Sequence, residues 1–578
     1  MADYHKLLSV ARGDEPADLV IRNGQLLNVL TREVHPATVG ICQDTVAYVT
    51  DPQDTRCEGQ QIIDATRMWI APGLIDSHMH IESTHVTPEH FANAVLPRGV
   101  TTVAQDPHEI ANVLGVAGVD YMRRASSGLP LRVLTFVPTC VPAVPGVETS
   151  GATFTAQEVG ALLNGPDTIG LAEVMDYWGV VRQSPRITEI VKTGRQRGVI
   201  FTGHVRLPGD RDLNAYLAAG IDSDHAILTP EGILTRTRLG MTVEICCSMH
   251  HDNVAAAAES WRQRGHLENV VFVTDDIPPD ELVEEGHLDR GIRRAIALGI
   301  SPVDAVRAAT LVSARRLRRY DLGAVAPGRT ADLLVLSDLE TFEIHLTVVS
   351  GTVIARDGAM VSPVLSQYPP PDAALASVHL ARPTVDDFAV KAPGPSVVAQ
   401  VLTRRGRGPL EARQLRVEDS IVLWQDQADL ALAAIWHRHG HNENRSAVLI
   451  AGTGLRAGAI ATTYAHDSHN LVVVGTNPSD MTAAASALIE SGGGYVVVSD
   501  GQIRALVALP VAGILAERSV PDLARDFRVF VEAANQLGVT ENPVGLLSSL
   551  PLPVVPSFRP TDIGLVDVDR QTIIPAFE

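Results

Sequence analysis

Positive charge is in short supply: 47 Lys and Arg face 67 Asp and Glu, a net charge of −20, and no basic run stands out against it. Binding to nucleic acid or to an acidic membrane surface is therefore unfavourable, and a small neutral or cationic ligand is the easier partner. Cysteine is sparse too. Cys42, Cys57, Cys140, Cys246 and Cys247 make no C-x-x-C pair, and the neighbours Cys246 and Cys247 would point to opposite faces of a strand, so neither a disulfide framework nor a thiolate zinc site is indicated. No apolar run reaches membrane-spanning length, and residues 1–6 lack a basic stretch followed by an apolar core. A reducing, cytoplasmic setting is the expectation. Aromatic residues are only 4% of the chain although 45% is hydrophobic, which suits a core packed from Ala, Val and Leu as in α/β proteins.

What is present falls into three textures. At 578 residues the chain is too long for one ordinary core, and two or three domains are expected. Short strands separated by turn residues open at Asp18-Leu19-Val20-Ile21 and run to about Trp69. From Leu74, apolar β pieces such as Thr101-Thr102-Val103-Ala104, Ile169-Gly170-Leu171-Ala172 and Val270-Val271-Phe272-Val273 alternate with helical patterns. This β-then-α rhythm over ~250 residues is that of a (β/α)8 barrel. Short strands return near Gly323, and Ser366-Gln367-Tyr368-Pro369-Pro370-Pro371 reads as a linker. The economical division is a small composite β-sandwich domain from 15–70 and 324–365, a barrel over 71–323, a Pro-rich linker over 366–379 and a C-terminal α/β domain over 380–578. Gly492-Gly493-Gly494 reads as a tight turn, because no Lys-Ser/Thr follows it and it leads into a strand rather than a helix.

The most informative stretch is Pro72-Gly73-Leu74-Ile75-Asp76-Ser77-His78-Met79-His80. Alternate side chains of a strand share a face, so His78 and His80 can present both imidazoles to one metal ion. An isolated His-x-His is equally well a strand end with two half-exposed histidines. If the barrel reading holds, however, chemistry belongs at the carboxyl ends of the strands, and further candidate ligands sit there in series: Glu173, His204, His225 and Asp275. Four imidazoles and two carboxylates suffice for two divalent ions bridged by one carboxylate.

This order resembles the amidohydrolase superfamily, whose first barrel strand supplies His-x-His, the fourth a bridging Lys or Glu, the fifth and sixth one His each, and the eighth an Asp. Within it the chain resembles the adenine deaminase family, in 72–83 (PGLIDSHMHIES), 96–110 (LPRGVTTVAQDPHEI), 170–176 (GLAEVMD), 274–276 (TDD), 466–470 (HDSHN) and 508–513 (ALPVAG). The candidate ligands His78, His80, Glu173, His204, His225 and Asp275 all match. Departures lie elsewhere: the family usually follows its sixth-strand His with Glu where this chain has Ala226, and many members carry an Arg-Glu-Gly-Ser-like run where this chain has Cys246-Cys247-Ser248-Met249-His250-His251.

The resemblance implies a hydrolase converting adenine to hypoxanthine and ammonia by a hydroxide held between two divalent ions, with Mn or Fe favoured although the donor set also accepts Zn. A homo-oligomer is a superfamily-level expectation. Asp275 is the candidate for proton acceptor and shuttle, and the loop Asp106-Pro107-His108-Glu109 offers Glu109 or His108 as a second acid. Asp106 also fits as the cap of a helix through 110–114. The loop with His466, Asp467, His469 and Asn470 is expected to approach the barrel mouth and seal it from water. Arg315, Arg316, Arg318 and Arg319 read as the solvated end of a helix. Two other readings stay open, an amidohydrolase acting on another aminopurine or a cyclic amide, and an inactive barrel that only binds metal or ligand. Glu173 argues against cyclic-amide hydrolases, many of which use a carboxylated lysine at that place.

Overall fold

The computed structural model describes residues 2–207, 209–226, 229–248, 252–392, 394–406, 408–539 and 542–578. Its centre is a curled parallel sheet in two runs. One run is five-stranded, β1 (Leu74–Met79), β2 (Val100–Gln105), β3 (Arg132–Val137), β4 (Thr168–Val174) and β5 (Ile200–Gly203); the other is three-stranded, β6 (Ser223–Asp224), β7 (Thr242–Cys246) and β8 (Val270–Val273). β1, β2, β5 and β8 are buried at every residue, as expected of parallel strands covered on both faces. The sheet curls because its outer members meet. Met79 bridges Asp275 in parallel, and Asp275 donates its amide to the His78 carbonyl while His80 donates to the Asp275 carbonyl, both at 3.2 Å. Across the other gap a Cβ at Gly203 would lie 2.6 Å from the Ser223 carbonyl oxygen, so only glycine lets the ends of β5 and β6 come this close. The ends carrying the candidate ligands thus converge on one mouth.

A nine-stranded sheet lies beside this centre and draws on both sides of it in sequence. Trp69–Pro72, which leads straight into β1, pairs antiparallel with Leu333–Asp338. Farther on, Arg445–Ala451, Leu430–Trp436, Leu471–Gly475, Ala459–Thr462, Gly494–Ser499 and Gln502–Ala508 form a six-stranded sheet in that order. Every pairing in it is antiparallel, so this unit is not built from βαβ crossovers. All of Leu430–Trp436 is buried, because Leu432, Ala434 and Trp436 pack with helix Pro478–Ser491 while Ala433 and Ile435 join Phe527 and Phe530 of helix Val520–Gln536 on the other face. The triple glycine is a turn: Gly492 caps helix Pro478–Ser491 at φ 76°, and Gly493 and Gly494 also have positive φ before the next strand.

Two local expectations are corrected. Arg316 is not a solvated helix end; its guanidinium is buried, bonded to the Phe201 carbonyl, to Ser223 Oγ at 3.0 Å and to Asp222 at 3.1 Å, where it braces β5 against β6. Arg315 and Arg318 are more exposed. Asp106 does not cap the helix His108–Leu114, whose N-cap is Pro107 without a side-chain bond. The Asp106 carboxylate is taken instead by His108 Nδ1 at 2.9 Å and the Glu173 amide at 3.4 Å. Cys246 and Cys247 do face opposite ways, Cys246 Sγ toward Asp275 Oδ2 and Cys247 Sγ toward the Ile245 carbonyl; Met249, His250 and His251 of that run lie outside the described residues. No helix among the described residues is long and apolar enough to cross a membrane.

Candidate metal centre

All six candidate ligands meet at the mouth. Donor atoms of His78, His80, Glu173 and Asp275 lie within 4.8 Å of one another, as do those of Glu173, His204 and His225, so Glu173 belongs to both sets. Its Oε1 stands 2.9 Å from His225 Nε2, 3.2 Å from His78 Nε2 and 3.7 Å from His204 Nδ1. Asp275 Oδ1 is 3.3 Å from His80 Nε2 and 3.5 Å from His78 Nε2. Asp275, two residues beyond β8, has a left-handed backbone, φ 61°, a strained conformation that an aspartate tolerates better than most side chains.

The donor set fits cations on chemical grounds. His80 donates its Nδ1 proton to the Asp106 carbonyl at 2.9 Å, which fixes the tautomer and leaves the Nε2 lone pair facing the site. His204 Nδ1 and His225 Nε2 face each other at 3.0 Å, two nitrogens aimed at one small volume. Buried His78 Nε2 and Glu173 Oε1 have no hydrogen-bond partner. Burial alone would raise the Glu173 carboxyl, but the charge of His225 and the close imidazoles of His204, His225 and His78 hold it well below the usual range. Burial would likewise lower His78, and Asp275 and Glu173 raise it to about 9 instead. Imidazolium protons therefore balance these carboxylates without a cation, and cation binding would displace them.

Asp224 sets the two histidines from the sixth strand. Its Oδ1 accepts from the amides following each of them, Val205 at 2.9 Å and Ala226 at 3.1 Å, while Oδ2 pairs with Arg236. Both side chains of that pair are essentially inaccessible. Arg236→Met should therefore destabilise the protein by about 3–5 kcal/mol by leaving a buried carboxylate unpaired. Urea unfolding that shifts by less than about 1 kcal/mol would show that Asp224 is held by its amide bonds alone.

A second polar cluster joins the barrel to the six-stranded sheet. Glu109 Oε1 is 2.7 Å from His466 Nδ1 and accepts from Tyr464 at 3.3 Å, while Oε2 meets His469 Nε2. The Ala465 amide donates to His469 Nδ1, so Nε2 carries the proton given to Glu109. Burial opposes the charge on Glu109, yet His466, His469 and His108 hold its carboxyl well below the usual range. Burial would lower His466, but Glu109 lifts it to about 9. His108 Nε2 lies 3.7 Å from Glu109 and 3.8 Å from Asp467. Buried Arg438 steadies the loop from behind, bonding the carbonyls of His469, Ser377 and Ala512. Solvent reaches the mouth mainly at Asp276, His466, His204 and Asp275, with side-chain exposures of 33%, 15%, 14% and 12%, whereas Glu109 is at 1%. Reading from sequence brought Glu109 and the 466–470 loop together only by resemblance, and it passed over Tyr464, Glu244 and the accessible Asp276.

The family comparisons agree with this geometry. Residues 69–354 match the amidohydrolase family and residues 408–572 the adenine deaminase C-terminal domain. An adenine deaminase of Klebsiella pneumoniae subsp. pneumoniae is 39% identical over 98% of this chain and 95% of its own length. Adenine deaminase 2 of Agrobacterium fabrum is 38% identical over 97% of this chain and 94% of its own, and an adenine deaminase of Moorella thermoacetica 39% over 97% and 96%. Similarity of this depth along almost the entire length, across both the strand-end cluster and the loop that closes on it, means that the chain belongs to the adenine deaminase family of amidohydrolases.

Proposed function

We propose that this chain hydrolyses adenine to hypoxanthine and ammonia. The observation that carries the reading is the sharing of Glu173 between two imidazole and carboxylate sets at the open mouth, in a chain similar to adenine deaminases throughout. On this reading 71–323 form the catalytic (β/α)8 barrel, 15–70 with 324–365 a composite β domain, and 380–578, after the 366–379 linker, a C-terminal domain that completes the site. A cytoplasmic homo-oligomer belongs to the same reading, carried by the family alone.

His78, His80, Glu173 and Asp275 would hold one divalent ion and Glu173, His204 and His225 the other, with Mn(II) or Fe(II) favoured. When bound, such ions lower the pKa of the attacking water and polarise what they touch. Asp275, beside His80 at the mouth, would accept a proton from the attacking water and pass it to the purine ring nitrogen. Glu109 is too deeply buried to meet the substrate, so it acts through His466: its carboxylate keeps His466 protonated at the mouth, where the imidazolium can protonate the leaving amine. His108, bonded to Asp106, spaces Glu109 from His80.

The 466–470 loop meets Glu109 of the 106–109 segment through His466 and His469, and on this reading the mouth so narrowed is expected to take a free base in preference to its riboside. Adenine should therefore be deaminated roughly 100-fold better than adenosine in kcat/KM. Glu109→Gln should lower turnover with cation content intact. Ammonia release from adenine, adenosine, other 6-aminopurines and cyclic amides tests this. A preference for adenosine, or hydrolysis of a cyclic amide with adenine inert, would overturn the assignment.

A further inference from the structure

Glu244 has no place in the mechanism above, yet it lies wholly buried on β7 with neither carboxylate oxygen hydrogen-bonded. An ionisable group without partners in such a position is costly and calls for a reason. Its neighbours are themselves incomplete. Glu244 Oε2 lies 3.7 Å from His225 Nδ1, and Glu244 Oε1 lies 4.0 Å from Arg316 Nε. His225 Nδ1 and Arg316 Nε are both buried without a hydrogen-bond partner. Two pairs of orphaned groups thus face each other across one carboxylate, each within 1 Å or so of normal bonding distance.

The opposite edge of the His225 ring shows which way the proton must go. Nε2 points into the site, 2.9 Å from Glu173 and 3.0 Å from His204 Nδ1. It can serve a cation only as a lone pair, so the ring proton must sit on Nδ1, toward Glu244. The sequence adds a second line of argument. The residue after His225 is Ala226, whose side chain offers no carboxylate and whose amide is spent on Asp224.

Resting on the two-cation reading above, we propose that Glu244 is a positioning residue for His225: it accepts the Nδ1 proton, is itself anchored by buried Arg316, and supplies from β7 a carboxylate partner that the residue after His225 cannot. The ring is thereby fixed as the Nδ1–H tautomer and made a more basic ligand. Carboxylate partners of ligating histidines contribute about 10–100-fold in metal affinity. The same bridge gives the buried Arg316 a purpose beyond bracing β5 and β6.

The test is stepwise titration of chelator-stripped protein with Co(II), followed by visible absorption, for wild type, Glu244→Ala and the isosteric Glu244→Gln. Wild type should show two binding steps. In Glu244→Ala one step should weaken by about 10–100-fold with altered d–d bands, while the other holds. Glu244→Gln, which keeps an acceptor oxygen without charge, should fall between. Two steps in wild type with both affinities and spectra unchanged in the variants would overturn the Glu244 assignment alone, and so would an equal loss at both steps. Fewer than two steps in wild type would instead bring down the two-cation reading and this inference with it.

Discussion

Glu173→Gln should lower adenine turnover by at least about 1000-fold and strip the protein of bound cation, the largest loss expected of any single substitution here. The reason is the position of Oε1, at the focus of imidazole nitrogens from β1, β5 and β6, which makes Glu173 the one side chain common to both donor sets. Glutamine has almost the same shape, so packing is preserved. It removes the charge that balances the cations, and it turns either a neutral carbonyl or an N–H group toward nitrogens that already need an acceptor or a metal. Loss should therefore reach both cations, whereas His78→Ala should strike chiefly the set containing His80 and Asp275. Metal analysis after gel filtration, with ammonia release and a thermal melt on the same sample, checks the outcome. Two retained cations and wild-type turnover in Glu173→Gln would remove Glu173 from the centre; a lowered melting temperature with full cation content would assign it a purely structural role.

That centre was readable in sequence because its residues obey local rules. His78 and His80 alternate on a strand, and Glu173, His204 and Asp275 each follow an apolar β segment, so a strand-and-helix rhythm places them at one rim; His225 follows the polar Asp222-Ser223-Asp224 and is marked by its place in the series. Asp106 and Arg316 failed for a common physical reason. Each has a local role its neighbours in sequence would support, a helix cap and a solvated charge, but tertiary partners claim it: the Glu173 amide and His108 for Asp106, and the Phe201 carbonyl, Ser223 and Asp222 for Arg316. No pattern within a short window contains such partners. Glu244 is different, since a signal existed. A glutamate between Val243 and Ile245 in a strand buried on both faces is an ionisable group where water cannot follow, and that alone marks it for attention. The antiparallel C-terminal sheet was missed because apolar runs such as Leu471–Gly475 mark burial on both faces without revealing strand direction.

The second large effect isolates proton transfer from cation binding. Asp275→Asn should reduce kcat by roughly 100-fold or more while some cation remains, since His78, His80, Glu173, His204 and His225 persist. Asparagine tolerates the left-handed backbone at this position, φ 61°, as well as aspartate does, so the return of β8 onto β1 through the His78 carbonyl and the His80 amide should survive. What disappears is the charged acceptor 3.3 Å from His80 Nε2, on one of the few groups of the mouth that solvent and substrate can reach. Burial opposes charge on Asp275, yet His225, His78 and His80 hold its carboxyl well below the usual range, so in the cation-free protein it is ionised. Loss of kcat together with retained cation would locate the defect in the chemical step. If kcat stays near wild type, another group carries the proton, and Asp276, the most exposed of the four accessible side chains at the mouth, is the side chain to substitute next. If all cation is lost with activity, Asp275 is primarily a ligand, and the proton-transfer role passes out of the proposal.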